Sequence, residues 1–493
     1  MPSRPNSWAR LGRTPAAELR ELQNRTLARF VREELYPFSA QYRRLFDEAK
    51  VDPRDIRTVA DLRRLPLSTK QDLLASQTSD AKKRDFVLIP TPHAIREHWP
   101  FTRKLGVGLG GARARELLRR DYTPIFLTFT TGRSSAPVVF TYTSHDLDLL
   151  GEAGARLLDV FGVPAHDARI LSVMPFAPHL AFWQTTFGGI RSTRLVIPTG
   201  GGKVMGTSGN LKMCERFKPT CIVGVPGFVY HMFREAQEKK VDLSSVKQVF
   251  LGAEKVTPGL KRKMAECLEA CGARDVAING TYGFTEARMA FGECPTKYDE
   301  TSGYHLYPDL AVVEIVNPET GEPLGEGETG EIVYTPIAGH GTVVCRYRTG
   351  DIAVGGMSWA PCPHCGRTVP RISSELKRSS DQRAMNLTKI KGTLVDLAEM
   401  GTTLSSMPEI EEWQVVLKKH NDDPHDLDEF VVRASLRAGS EPAAFERKAR
   451  AELVEATEIA PNAFELHSTK EMLDLLGMET ELKEKRFVDL RPK

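Results

Sequence analysis

The sequence predicts an α/β fold, with a large multi-layer N-terminal domain of mostly parallel sheets plus a β-module and a small α+β C-terminal domain. Three observations predict it. Short apolar runs alternate with segments long enough for a helix, which is typical of buried parallel strands. A Pro- and Gly-rich stretch then separates two further apolar runs. After about residue 384 the pattern changes to strand, strand, helix and strand.

The composition limits the classes of partner. The 493 residues carry 67 basic and 64 acidic side chains, a net charge of +3, scattered along the chain. No charged block is present to attract nucleic acid or a membrane surface. The first residues lack the apolar core of a secretory signal, and no apolar run approaches the roughly 18 residues of a membrane span. We therefore expect a cytoplasmic protein with small-molecule partners and no nucleic-acid or membrane partner, and a homodimer is compatible with the sequence.

Residues 1–75 are predicted to form a helical cap. Pro15 after Thr14 is typical of a helix start, and apolar residues keep a helical spacing from Leu19 to Val31. Proline lacks the backbone N–H that a helix needs, so we expect the helix to end at Pro37.

The strands are predicted from short apolar runs. Those of the parallel sheet are 124–130, 168–174, 194–198, 220–225, 248–252 and 275–279. The β-module is predicted from 309–316 and 330–335, which flank the turn-forming stretch NPETGEPLGEGETG. The C-terminal domain is predicted from strands at 413–419 and 428–437, a helix near 442–458 and a strand near 463–467.

Three polar segments stand out as candidate sites. Residues 130–137, TTGRSSAP, form a Gly- and hydroxyl-rich loop between two apolar runs. Such a loop can direct backbone N–H groups and hydroxyls toward a polyphosphate. GTYGFTEAR at 280–288 and YRTGD at 347–351 each carry an acidic residue in a short Tyr/Gly/Thr string, where a loop could present it to a metal or to vicinal hydroxyls.

The order of these segments resembles a known family. The hydroxyl-rich loop, GAE at 252–254, YGFTE at 282–286 and YRTGD at 347–351 occur in the order found in acyl-adenylate-forming enzymes. Residues 42–73 and CPHCGRTVPRI at 362–372 are similar to the phenylacetate–coenzyme A ligase branch. The resemblance covers nearly the whole chain except residues 79–122, a divergent insertion. Its arginines are expected on the solvated face of a helix: Arg113, Arg115, Arg119 and Arg120.

The resemblance implies an ATP-dependent carboxylic acid–coenzyme A ligase. Such an enzyme joins a carboxylate to AMP, releases pyrophosphate and passes the acyl group to the thiol of coenzyme A. Residues 175–189, 198–202 and 225–230 would select the acid. Their aromatic character favours an aromatic or medium acyl acid, although about half of these rings are expected in the core. They are Phe176, His179, Phe182, Trp183 and Phe228.

Two alternatives stay open at this point. One is an adenylating enzyme whose acceptor is a carrier-protein thiol or a hydroxyl. The other is a nucleotide-binding pseudoenzyme, because Arg133 and Ser135 depart from the phosphate-loop pattern of the family.

The resemblance also assigns roles to individual residues. Thr285 would hydrogen-bond the transferring phosphate, and Glu286 would hold Mg²⁺, which prefers oxygen ligands. Tyr282 would stack on adenine, and Asp351 would accept hydrogen bonds from both ribose hydroxyls. The other nucleotide-binding residues that the resemblance implies are Thr130, Thr131, Gly132, Ser134, Gly252, Ala253, Glu254, Gly283 and Arg383.

The resemblance further divides the chain into an N-terminal domain, 1–383, and a mobile lid, 384–493. Arg383 marks the hinge, with Arg378 as the alternative. The family supplies a catalytic lysine from a C-terminal motif, and Lys483 occupies the matching position, with Lys485 as its rival. The matching residues are Lys483, Arg486, Phe487, Val488, Asp489 and Arg491, preceded by Leu482 where the family has glycine.

Four residues are candidates for a zinc site. Cys294, His305, Cys362 and Cys365 form a Cys₃His set suited to tetrahedral Zn²⁺. Many relatives in the phenylacetate–coenzyme A ligase branch carry cysteines and a histidine at these places. Four protein ligands leave no open coordination position, so the zinc would be structural. His364, inside the CPHC sequence, is interpreted as a bystander.

Overall fold

The computed structural model describes residues 7–79, 82–130, 137–176, 180–378, 387–390, 393–419, 428–457, 459–478 and 484–491. Within these residues the helices are Trp8–Leu11, Ala16–Phe30, Tyr36–Phe38, Ala40–Glu48, Lys70–Gln77, Pro92–His98, Phe101–Leu109, Gly111–Tyr122, Ser144–Val160, Leu180–Arg191, Gly202–Phe217, Pro226–Glu238, Pro258–Ala270, Leu397–Ser406, Pro442–Thr457 and Thr469–Leu476. No helix in this described part of the chain is long and apolar enough to cross a membrane.

The strands fall into several sheets. In chain order they are β1 (Phe126–Phe129), β2 (Val139–Tyr142), β3 (Arg169–Ser172), β4 (Leu195–Pro198), β5 (Cys221–Gly224), β6 (Gln248–Leu251), β7 (Ala277–Phe284), β8 (Met289–Gly292), β9 (Tyr304–His305), β10 (Ala311–Val316), β11 (Gly330–Pro336), β12 (Tyr347–Ala353), β13 (Met357–Ser358), β14 (Arg371–Ile372), β15 (Leu376–Arg378), β16 (Leu387–Ile390), β17 (Thr393–Asp396), β18 (Ile410–Lys419), β19 (Asp428–Leu436), β20 (Ala463–Leu466) and β21 (Phe487–Asp489).

A nine-stranded sheet forms the centre of the N-terminal part. Its order is β13-β14-β9-β8-β7-β6-β5-β3-β4. Strands β3 to β7 pair in parallel, and a helix connects each to the next, as the apolar runs predict. These strands are apolar because helices pack against them. In one hydrophobic core between strands and helices, Ile222, Phe233 and Met264 are fully buried.

Strand β7 joins two kinds of pairing. Its first half, residues 277–280, pairs in parallel with β6, and its second half, residues 281–284, pairs antiparallel with β8. The sheet therefore changes from parallel to antiparallel within the strand that carries the YGFTE motif.

The first apolar run does not belong to the parallel sheet. Strand β1 pairs antiparallel with β2 in a separate two-stranded ribbon, with Phe126 opposite Tyr142. The prediction for 124–130 was therefore wrong in this respect. The reason is the short loop that follows β1, since a parallel crossover needs about a dozen residues or more.

The β-module is confirmed as an antiparallel sheet of order β10-β11-β12-β15. Strands β10 and β11 pair from Ala311 opposite Pro336 to Val316 opposite Glu331. The third strand, β12, carries the YRTGD motif, so the β-module supplies part of the candidate site.

The first long helical segment ends at Phe38, one residue after Pro37, in agreement with the predicted end. The helix Ala16–Phe30 runs into one wide π-helical turn and then into the short helix Tyr36–Phe38. Pro37 cannot donate to the carbonyl of Glu33, four residues earlier. That carbonyl accepts a hydrogen bond from the indole N–H of Trp99 at 2.9 Å, so the position of Pro37 leaves no buried acceptor unpaired.

The divergent segment 79–122 contains the helices Pro92–His98, Phe101–Leu109 and Gly111–Tyr122. Its last helix, Gly111–Tyr122, exposes the four arginines predicted on its solvated face, Arg113, Arg115, Arg119 and Arg120. Arg119 pairs with Glu116 at 2.7 Å on that surface.

The C-terminal part forms a separate sheet of order β20-β19-β18-β21 with its own core. The predicted strands and helix are present at 410–419, 428–436, 442–457 and 463–466. This sheet contacts two helices of the N-terminal part, Pro226–Glu238 and Pro258–Ala270. Arg234 pairs with Glu411 at 3.0 Å, and Lys263 donates to the carbonyl of Ile410 at 2.8 Å.

Candidate functional site

The candidate site lies at the carboxyl ends of the parallel strands. Residues 252–254 directly follow β6, and the YGFTE motif begins in the second half of β7. Loops at this end of an open α/β sheet are the usual place for nucleotide ligands. The topology therefore brings two of the predicted motifs together on neighbouring strands.

The GAE segment is shaped by close approach and backbone strain. A Cβ at Gly252 would lie 2.5 Å from the Thr281 hydroxyl oxygen, so only glycine fits beside β7. The next residue, Ala253, has a φ of 75°, a left-handed conformation that costs roughly 1–2 kcal/mol for a residue with a side chain. Strain of this kind is characteristic of ligand-binding loops.

Asp351 and Tyr282 meet across two sheets. The Tyr282 hydroxyl donates to Asp351 Oδ2 at 2.9 Å, and the Asp351 backbone N–H donates to the hydroxyl oxygen of Thr349 at 3.1 Å. The Tyr282 ring packs against Phe284 and Tyr304, with centroids 5.5 and 5.7 Å away. Because both residues are largely buried, the aspartate is held in a fixed orientation at the end of the nucleotide motif.

Glu286 is held from the β-module. It lies in the short 3₁₀ turn Thr285–Ala287, and its Oε1 accepts a hydrogen bond from the Tyr347 hydroxyl at 2.8 Å. Thr285 and Glu286 are both half-buried, so they reach the same partly open surface. The carboxylate is therefore oriented before any ligand binds.

The residue that closes this motif, Arg288, forms a buried ion pair with Asp146 at 2.8 Å. The backbone N–H groups of His340 and Gly341 also donate to Asp146, at 2.9 and 2.7 Å. Burial raises the pKa of Asp146, but Arg288 and these hydrogen bonds outweigh it and lower the pKa to about 2. The aspartate is thus charged, and it fixes the segment that follows Glu286.

The hydroxyl-rich loop leaves from the same region. Thr130 closes its base, because its N–H donates to the carbonyl of Val138 and its hydroxyl accepts from the Val138 N–H, both at 3.0 Å. Tyr142 on β2 lies 5.6 Å beneath the Arg288 guanidinium. Other predicted residues lie outside the described residues: Thr131, Gly132, Arg133, Ser134, Ser135, Arg383 and Lys483.

The aromatic segment predicted to select the acid forms a connected cluster. Trp183 contacts Phe176, Phe182 and Phe126, with centroids 5.9, 5.2 and 5.1 Å away. Phe182 and Phe228 are buried, whereas Phe176 is 61% exposed. This division agrees with the expectation that about half of the aromatic residues belong to the core. His179 lies outside the described residues.

The four candidate zinc ligands meet at one place. The ligand atoms of Cys294, His305, Cys362 and Cys365 all lie within 4.8 Å of one another. The sulfurs of Cys294 and Cys362 are 3.7 Å apart, and Nε2 of His305 is 3.3 Å from the sulfur of Cys365. Two thiolates on tetrahedral zinc would be about 3.8 Å apart, so the set fits this metal.

The contact behind the histidine of the cluster also suits zinc. Nδ1 of His305 lies 3.2 Å from the carbonyl oxygen of Gly292. Donation to this carbonyl leaves Nε2 with a lone pair directed to the thiols, the arrangement of a metal-ligating histidine.

No role was predicted from the sequence for three residues of the site: Tyr347, Arg288 and Asp146. Tyr347 and Arg288 stood inside the quoted motifs, which was the available signal. No motif surrounds Asp146 in the sequence. It is the third residue of the helix Ser144–Val160 and forms a capping box with Thr143, and only the fold brings it to Arg288.

Comparison with known proteins agrees with this geometry. Residues 124–343 match the family described as AMP-binding enzyme. The chain is 28% identical to phenylacetate–coenzyme A ligase of Thermus thermophilus over 93% of this chain and 89% of the relative. It is 27% identical to the enzyme of that name from Escherichia coli, over 74% of this chain and 72% of the relative.

A solved structure shares the fold. The structure of 2-hydroxyisobutyryl-CoA ligase with 2-HIB-AMP in the postadenylation state superimposes with a TM-score of 0.75. It is 21% identical, and the match covers 98% of this chain and 92% of that one. Residues 124–343 thus match the AMP-binding enzyme family, and most of the chain is similar to phenylacetate–coenzyme A ligases.

Proposed function

We propose that this chain is an ATP-dependent ligase that joins a carboxylic acid to coenzyme A through an acyl-adenylate, with release of AMP and pyrophosphate. One observation carries the proposal: motifs distant in sequence meet at one end of the central sheet, where Tyr282 bonds to Asp351 and Tyr347 bonds to Glu286. The curated relatives named above are phenylacetate–coenzyme A ligases, and the cluster around Trp183 favours an aromatic acid.

In this proposal each side chain has a distinct task. Asp351 accepts hydrogen bonds from the ribose hydroxyls, and its bond from Tyr282 keeps it oriented for them. Thr285 donates to the phosphate that is transferred, where negative charge builds up in the transition state. Gly252, Ala253 and Glu254 line the adenine pocket beside β7.

Glu286 is the proposed ligand of Mg²⁺. A carboxylate oxygen is the ligand type that this cation prefers, and Tyr347 already orients the Glu286 carboxylate. When bound, the cation supplies positive charge against the triphosphate. The protein contributes the orientation of Glu286 and the adjacent hydroxyl of Thr285.

The Cys₃His cluster is the proposed site of one structural zinc. The ligand distances and the carbonyl of Gly292 behind His305 support it. All four positions are taken by protein atoms, so the metal would stabilise the segments that hold these ligands rather than act on the substrate.

The C-terminal part is proposed to act as a lid that starts near residue 384. Lys483, the proposed catalytic lysine, and Arg383, the proposed hinge residue, belong to this interpretation. Rotation of a small domain lets one site serve two reactions in turn, because the group that assists adenylation moves away before the thiol arrives.

A panel of carboxylic acids tests the function. The purified chain, incubated with ATP and Mg²⁺, should exchange radiolabelled pyrophosphate into ATP with the correct acid. Addition of coenzyme A should then give the acyl thioester, detected by mass spectrometry. Exchange without thioester formation would favour a carrier-protein or hydroxyl acceptor, and binding of ATP with no exchange for any acid would favour the pseudoenzyme.

A further inference from the structure

The side chain of Glu484 occupies a notch formed by a glycine of the N-terminal part. Gly227 is the second residue of the helix Pro226–Glu238, and a Cβ at this position would overlap the carboxylate of Glu484. The contact joins the two parts of the chain. Only a residue without a side chain leaves room for it.

The side chain of Glu484 is largely enclosed, beside the half-buried Arg486 and the buried Glu412. Its side chain is 9% exposed, and its Oε2 accepts from the guanidinium of Arg486 at 2.5 Å. Arg486 also pairs with Glu412 on β18 at 2.8 Å and donates to the carbonyl of Trp413 at 3.0 Å. The glutamate is therefore held by the C-terminal sheet while it contacts the other part of the chain.

The second carboxylate oxygen faces the helix. Oε1 of Glu484 has no hydrogen-bond partner among the described residues. This oxygen lies against Gly227 in the first turn of the helix Pro226–Glu238. The negative charges that face Glu484 are Glu412 on β18 and Glu254 of the GAE motif.

This contact differs in position from the other interdomain contacts. Arg234 with Glu411 and Arg437 with Glu266 also join the two parts, each at 3.0 Å. The charges that act on Glu484 include Glu254 of the GAE motif. A displacement of Glu484 would therefore change the electrostatic field at the candidate nucleotide site.

We infer that Glu484 is a positioning residue whose contact with Gly227 holds the C-terminal part in the arrangement that forms the adenylate, and that this contact breaks before thioester formation. The inference rests on the proposed two-step function. Glu484 directly follows Lys483, the proposed catalytic lysine, in the sequence.

The test is Gly227→Ala, with Gly259→Ala as the matched control. Both glycines are the second residue of a helix that begins with proline. A Cβ at Gly259 would meet the carbonyl oxygen of Ser405 at 3.5 Å and the Cα of Ser406 at 3.8 Å, both ordinary van der Waals contacts. Gly227→Ala should lower the rate of adenylate formation about tenfold or more, whereas Gly259→Ala should leave it unchanged.

Two further readouts separate positioning from damage to the substrate pocket. The KM values for ATP and for the acid should stay within about twofold of wild type, and conversion of a chemically prepared acyl-adenylate to the thioester should proceed at the wild-type rate. In a double-mutant cycle, Gly227→Ala combined with Glu484→Ala should be no slower than Glu484→Ala alone, because the overlap is then gone.

Hydrogen exchange gives a readout independent of turnover. The amides of 227–232 and 485–489 should exchange faster in Gly227→Ala than in wild type, with no change in Gly259→Ala. Unchanged exchange and unchanged adenylation in Gly227→Ala would overturn the inference, as would equal losses in both half-reactions. If wild type forms no adenylate with any acid, the proposed function fails, and faster exchange in Gly227→Ala still establishes the contact.

Discussion

At the scale of single residues, tyrosine hydroxyls orient the two acidic side chains of the candidate site. Tyr282 holds Asp351 and Tyr347 holds Glu286. A hydrogen bond to a charged group contributes about 1.5–3 kcal/mol, enough to fix one orientation against several others. The site is therefore arranged before ligands bind, which lowers the reorganisation needed in the transition state.

Glu286→Gln tests the proposed Mg²⁺ ligand. The amide keeps the size and the hydrogen bond from Tyr347 but removes the charge, so acid-dependent pyrophosphate exchange should fall on the order of 10²-fold. Thermal unfolding should stay close to wild type. Glu319→Gln, an exposed glutamate in a turn, serves as the control. Exchange at the wild-type rate in folded Glu286→Gln would contradict the assignment.

Glu484 predicts a pH dependence of lid docking. Burial, and then the facing Glu254 and Glu412, outweigh the charge of Arg486 and raise the pKa of Glu484 from 4.5 to about 7. A raised pKa means that docking is favoured while the carboxyl is protonated, so its contribution is complete below about pH 4.5 and is lost as the pH rises through about 7.

The measurement is the rate of adenylate formation between pH 5.5 and 8.5. The rate of adenylate formation by wild type should fall as the pH rises around pH 7. Glu484→Gln stays neutral, so its rate should show no such fall. Identical profiles for wild type and Glu484→Gln would show that Glu484 does not titrate in this range.

At the scale of secondary-structure elements, the cysteine cluster brings together segments from the antiparallel half of the central sheet. His305 lies on β9, Cys294 follows β8, and Cys362 and Cys365 precede β14. Strands β9 and β14 are only two residues long, so pairing alone gives them little stability. A metal bound at the cluster would cross-link these short elements.

Zinc content and stability test this interpretation. Elemental analysis of the purified protein should find about one zinc per chain, and Cys362→Ser should lose it, with a fall of about 2 kcal/mol or more in the free energy of unfolding. His364→Ala, within the same CPHC sequence but outside the four ligands, should retain the metal. Folded, active wild-type protein without any metal would rule the zinc site out.

Much of the fold was predictable at this scale, because apolar runs indicate which segments are buried and turn residues indicate where the chain turns. The parallel strands, the β-module and the C-terminal elements follow from such runs. One exception is β1, which pairs with β2 rather than with the parallel sheet.

The candidate site was likewise predictable from the sequence only in part. The motif residues Tyr282, Glu286 and Asp351 were singled out by the family resemblance, and the structure brings them together where the end of β7 meets β12 of the β-module. Asp146, the partner of Arg288, and the notch at Gly227 were not predictable, since both depend on how separate elements pack.

At the scale of the whole molecule, the two-step mechanism makes a prediction for Lys483. Lys483→Ala should lower adenylate formation from acid and ATP by about 10²-fold or more, because it removes positive charge near the transferring phosphate. The same variant should convert a prepared acyl-adenylate to the thioester at a near-normal rate, since the lid has moved by then.

Lys485→Ala is the control for this prediction. The backbone N–H of Lys485 donates to the carbonyl of Leu476 at 3.0 Å, a bond that the substitution keeps. Both half-reactions should therefore remain largely intact. A larger effect at Lys485 than at Lys483, or equal losses in both half-reactions for Lys483→Ala, would refute the assignment of the lysine.

The double pairing of β7 has a consequence for how the chain folds. The strand can complete its hydrogen bonds only when β6 on one side and β8 on the other are already in place. Parallel pairing through a helical crossover is intrinsically slow, because the entropy of closing a long loop must be lost first. We therefore expect the strand that carries the motif to complete its pairing, and the candidate site to form, only as the two halves of the sheet come together.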